Sequence, residues 1–83
     1  MALRPLQPEE KQQSGIETGL FIQQATGPAA IAGVQSGDVL LSINGKPVTS
    51  IEQVRAAVGK SDRSVALLIQ RGESKIFVPV NLG

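Results

Sequence analysis

Cysteine and histidine are both absent from the 83 residues, and several kinds of chemistry go with them. Without cysteine there is no disulfide scaffold and no cysteine-based metal site. Without histidine, a serine–histidine–aspartate relay cannot be assembled within this chain. Tryptophan and tyrosine are missing too, and Phe21 and Phe77 are the two aromatic residues. The core must therefore be aliphatic, with a sheet rich in β-branched residues. Charge of one sign is also lacking. Eight basic and seven acidic residues leave a net +1, and they are interspersed, which favours neither nucleic acid nor an anionic membrane as partner. No apolar run approaches the roughly 20 residues needed to cross a bilayer, and the N-terminus has no secretory apolar region, so membrane insertion is not expected.

The residues that could do chemistry are better explained by structure. The serines at 14, 36, 42, 50, 61, 64 and 74 fall in turns, helix starts or strand faces, where a hydroxyl bonds the backbone. Glu9 and Glu10 are neighbours on one helical turn and cannot oppose each other across a cleft, while Asp38 stands alone among strand residues. Gly27, Gly33, Gly37 and Gly45 read as turn and cap positions rather than a phosphate cradle. No catalytic residue, metal site or cofactor is expected.

What is present is an ordered unit over residues 28–48. Pro28 suits the first position of a helical turn, and Ala29, Ala30 and Ala32 form a small-residue helix that Gly33 ends. Ser36-Gly37 makes a second turn, residues 39–43 read as an apolar strand, and Asn44-Gly45 closes it in a tight turn. Before this unit lie a short extended segment over residues 3–6, made an edge by Pro5, a brief helix opening at Pro8 and ending at Ser14-Gly15, and an apolar strand at residues 20–22. After it comes a helix over residues 50–58. Thr49 with Glu52, or Ser50 with Gln53, supplies a capping box, and Gly59 stops the helix. Ile51, Val54 and Val58 share one stripe of it. A polar loop over residues 60–64 leads to a closing hairpin, residues 65–70 with 75–82, turning at Arg71-Gly72-Glu73-Ser74. The total is one α+β domain of five to six short strands with one main helix and one or two short ones, a sandwich or partly open barrel.

The order Pro28-Ala29-Ala30, Ala32-Gly33, Gly37-Asp38, an apolar run and Asn44-Gly45 resembles the central signature of PDZ domains. The tail, Leu68-Ile69-Gln70-Arg71-Gly72 followed by Ile76-Phe77-Val78-Pro79-Val80, resembles the closing hairpin of the HtrA (Do/Deg) serine proteases, most like their C-terminal, second PDZ domain. The resemblance implies a circularly permuted, bacterial PDZ fold and a non-catalytic module cut from a longer, trypsin-like periplasmic serine endopeptidase of protein quality control. It implies a polypeptide substrate or C-terminal peptide as partner, added as a strand between the first strand and the main helix. It also implies contacts with other domains and subunits of the protease. Met1, Ala2, Leu3, Arg4 and Leu6 on the strand side and Ile51, Arg55 and Val58 on the helix wall are the peptide-binding candidates. Ile51 and Val58 could equally be core, and Arg55 a solvated helix residue. The loop that holds a ligand carboxylate in such domains should precede Leu3, where only Met1 and Ala2 stand, so it is expected to be truncated. The alternative function is subunit assembly with little peptide binding.

Overall fold

Nine elements follow from these signals in the computed structural model, which describes residues 1–16, 18–60 and 63–81. In chain order they are β1 (Ala2–Pro5), α1 (Pro8–Ser14), β2 (Leu20–Gln24), α2 (Pro28–Ala32), β3 (Val39–Ile43), β4 (Lys46–Pro47), α3 (Ile51–Lys60), β5 (Ser64–Arg71) and β6 (Ser74–Asn81). Residues 61, 62 and 82 of the expected loop and hairpin lie outside the described residues. The strands form one antiparallel sheet in the order β1-β2-β3-β5-β6, with β4 paired to β3. The architecture is the α+β one expected, with six strands among the described residues.

Local chemistry sets the boundaries. Pro8 opens α1, and the Glu10 carboxylate reaches back to accept the Gln7 N–H at 2.9 Å, satisfying an amide the helix cannot. At α3 the capping box uses Ser50 and Gln53. Ser50 Oγ accepts from the Gln53 N–H at 3.3 Å, and Gln53 Oε1 accepts from the Ser50 N–H at 3.2 Å and the Thr49 N–H at 2.5 Å. Of the two registers open in the sequence, the later one forms. Gly59 does not stop this helix, which runs to Lys60. A glycine ends a helix by turning left-handed, and Gly59 keeps a negative φ. The β3–β4 turn places Asn44 at φ 52° and Gly45 at φ 82°, the two consecutive left-handed residues of a tight hairpin turn. Asn44 also bonds Ala66 twice, donating its N–H to Ala66 O and accepting the Ala66 N–H on Oδ1, both at 2.8 Å. The turn is thereby fastened to β5.

Strand alternation then builds an aliphatic core. Leu20, Ile22, Leu40, Ile43, Leu67 and Ile69 are fully buried, with Val78 and Val80 from β6 and Val54 from α3 against them. A second, smaller cluster joins Leu6, Ile16 and Val39, with Phe21 and Leu41 at its margin.

Asp38 does not stand alone. It is buried, and its oxygens accept from Arg71 Nε at 2.9 Å, Arg71 Nη2 at 2.8 Å and the Gln35 N–H at 2.9 Å. Arg71 Nη2 also donates to Gly33 O at 2.9 Å, so one guanidinium ties the end of β5 to the start of β3 and the C-terminus of α2. Burial by itself would raise the Asp38 pKa, but the Arg71 hydrogen bonds, the Gln35 N–H and the Arg71 charge together hold it below the ordinary value.

Candidate functional site

One edge of the sheet is β1, which pairs with β2 on one side and with no strand on the other among the described residues. Which backbone groups face that free side follows from Ile22. Its N–H donates to Asp38 O at 2.9 Å and its carbonyl accepts from the Gly37 N–H at 2.8 Å, so both point toward β3. Ile22 therefore has nothing left for β1, and Leu3, directly opposite it, sits in a non-hydrogen-bonded pair. The N–H and carbonyl of Leu3 turn outward. The next pair, Arg4 with Phe21, exchanges bonds, and the pair after it, Pro5 with Leu20, again does not. Pro5 thus stands where its missing N–H costs the sheet nothing.

Beside the outward backbone of Leu3 lies an apolar groove of about 420 Å³. Met1 and Leu3 form one wall, and Val54, Arg55, Val58 and Gly59 of α3 form the other. Val65, Leu67 and Val80 make the floor, and Thr26, Pro28 and Ala29 close an end. Arg55 is the one charged side chain lining it among the described residues. A somewhat larger cavity of about 450 Å³ opens elsewhere, against α1 and the β5–β6 turn. It is rimmed by Glu10, Gln13, Gln70 and Glu73 and includes no residue of β1, so it lacks the sheet edge that strand addition requires.

The structure brings Met1, Leu3, Arg55 and Val58 together and leaves the other four candidates apart. Ile51, a turn earlier on α3, is 37% exposed and does not line the groove. Ala2 is exposed on the strand without reaching the groove. Arg4, on the opposite face from Leu3, has its guanidinium 4.2 Å from the centre of the Phe21 ring and makes a two-pronged pair with Glu10 at 2.6 and 2.8 Å. The Arg4 hydrogen bond, with the Gln7 N–H and the arginine charge adding to it, lowers the Glu10 pKa to about 2. Leu6 is buried in the second cluster. Pro28, Ala29, Val65, Leu67 and Val80, none of them among the eight candidates, also line the groove. For Val65 and Leu67 the signal was the alternation of the hairpin strand, which sends every second residue to one face.

An open sheet edge beside a helix, with an apolar channel between them, is a surface to which an extended peptide can add. The comparisons with known proteins give it a family. A PDZ-domain family model matches residues 23–71. The chain is 35% identical over 85 residues to a DegP-like periplasmic serine endoprotease of Hahella chejuensis, a match covering 99% of this chain and 18% of that protein. It is 34% identical over 71 residues to the periplasmic serine endoprotease DegP of Salmonella typhimurium (83% and 15%), and 40% identical over 63 residues to the zinc metalloprotease Rip1 of Mycobacterium tuberculosis (74% and 16%). Among solved structures it is similar to the PDZ domain of HtrA3 bound to the phage-derived ligand FGRWV, at a TM-score of 0.85 and 20% identity over 98% of this chain and 79% of that one. The chain belongs to the PDZ family, with homology to the DegP/HtrA serine proteases, and is itself a non-catalytic module. It spans less than a fifth of the length of each of these curated relatives.

Proposed function

We propose that this domain binds polypeptide segments by strand addition to β1, with alternate ligand side chains entering the groove against α3. The observation that carries the reading is the outward-turned backbone of Leu3 beside that apolar channel. Backbone hydrogen bonds would supply affinity without regard to sequence, the aliphatic floor would take an apolar ligand residue, and Arg55 would favour an acidic or polar one at the rim. The parent is a trypsin-like periplasmic serine protease of the DegP type. The Hahella relative supports this, because it matches nearly the whole chain where Rip1 matches 74% of it. Residues 1–83 act there as one module that recruits or senses unfolded or C-terminal segments, alongside other domains and subunits. The backbone groups that hold a ligand carboxylate come from a loop N-terminal to Leu3.

The test is an amide NMR titration of the chain with the pentapeptide FGRWV, repeated on Val58→Glu. Shifts confined to β1 and α3 in the wild type, and absent in the variant, are expected. No shift in the wild type at millimolar peptide would overturn the reading in favour of subunit assembly.

A further inference from the structure

The edge that receives the ligand is held by very little of its own backbone. The register between β1 and β2 shifts between Ala2 and Leu3, and from Leu3 to Pro5 the only pair that exchanges ladder bonds is Arg4 with Phe21. A four-residue edge strand that carries a proline and a shift of register frays readily. The Arg4 side chain concentrates three restraints at that same pair. It stacks on Phe21 at 4.2 Å, grips Glu10 of α1 through two bonds, and donates to Pro5 O at 3.2 Å. Glu10 is itself fixed by the Gln7 N–H at the start of α1. Isolated exposed ion pairs contribute little, but a forked pair between half-buried groups that is also stacked and capped is the arrangement in which they do.

We propose that Arg4, through Phe21 and Glu10, is a positioning residue that keeps β1 in the extended register a ligand strand requires, while touching no ligand itself. This rests on the strand-addition reading above. The apparent dissociation constant of a ligand that binds only ordered β1 is the intrinsic one divided by the ordered fraction, so loosening the clasp weakens binding by the factor by which it lowers that fraction.

Four proteins decide the matter: the wild type, Arg4→Met, which keeps an apolar stem on Phe21, Glu10→Gln, which keeps an acceptor for the Gln7 N–H, and the double variant. Each is titrated with FGRWV, and amide exchange is recorded without peptide. Each single variant should bind more weakly, by up to the roughly fivefold open to such a pair, and the double variant no more weakly than the singles. The ordered fraction given by exchange protection at the Arg4 amide should fall by the same factor as the affinity, with β5 and β6 amides unchanged. Singles that bind as tightly as a wild type showing shifts at Leu3 and α3 would overturn the clasp and leave the groove standing. Additive losses with faster exchange throughout the sheet would overturn it too, since the role would then be global stability. A wild type without shifts at β1 would remove the strand-addition reading and the clasp's purpose together.

Discussion

Replacing Asp38 by asparagine changes one atom and should unfold the domain more easily by about 2 kcal/mol. The native carboxylate accepts three bonds from three donors on two residues: Arg71 Nε on Oδ1, and Arg71 Nη2 with the Gln35 N–H on Oδ2. An asparagine amide must turn its NH₂ toward one side or the other. Facing Nε it sets one donor against another, and facing Oδ2's position it does so twice, so the first orientation is preferred and one charge-assisted bond becomes a repulsion. The side chain at 38 is 3% exposed, so water cannot repair the loss, whereas Arg71 is 38% exposed and can swing partly into solvent, which keeps the cost below that of a fully buried pair. With a urea m-value of about 1 kcal/mol/M for a domain of this size, the midpoint should fall by about 2 M. Acid titration gives an independent check. The folded carboxyl is held below its unfolded value, so its stabilisation is complete above the unfolded pKa of about 4 and disappears as pH falls through the lower folded one. The variant should lack that component, and the two proteins should converge in stability as pH falls through the folded pKa. A midpoint shift under about 0.5 M, or a difference that persists unchanged in acid, would refute the clasp among Asp38, Arg71 and Gly33. Arg71→Met, which strands the buried carboxylate, should shift the dependence the other way, raising the Asp38 pKa and making the domain less stable as pH rises through it.

Gly19→Ala should cost about 2–3 kcal/mol in denaturant unfolding, because φ there is 140° and a new Cβ would stand 2.9 Å from the Leu40 carbonyl oxygen. Phe77→Ser should change stability by no more than about 0.5 kcal/mol, since the ring is 70% exposed, and a larger loss in thermal unfolding would show that it packs on something. Arg55→Glu should leave unfolding untouched and reverse the preference between otherwise identical peptides bearing an acidic or a basic residue, by about threefold each way in a fluorescence titration, as expected of an exposed rim charge.

Much of the fold was legible because its punctuation is local. Pro28, Gly33 and Asn44-Gly45 each act within a few bonds of themselves, and the elements they bound appear where the sequence places them. Gly59 shows the limit of such reading. It carries a stop signal only if the chain beyond it needs a left-handed turn, and here α3 continues for another residue. The partner of Asp38 could not be read locally at all, since Arg71 is 33 residues away and meets it only once β3 and β5 pair.

The groove candidates divide for a related reason. A strand presents alternate residues to one face, so a contiguous set of residues 1–4 could not all meet one ligand channel; Met1 and Leu3 reach it and Arg4 reaches Phe21 instead. Alternation would also have carried Leu6 to Arg4's face, and that is where it lies, beneath α1 with Ile16 and Val39. Period and parity thus separate wall from buttress over residues 1–6 from sequence alone. The far end of the groove has no such rule. Pro28 and Ala29 form the start of a helix whose residues are explained by its own turn, and they meet the channel because α2 packs against β6, a contact that depends on the assembled sheet. The Asp38–Arg71 clasp fixes the other end of α2 through Gly33. The signature residues that identify the family therefore also set where the groove stops, and loosening that clasp should disturb the groove's far end as well as the fold.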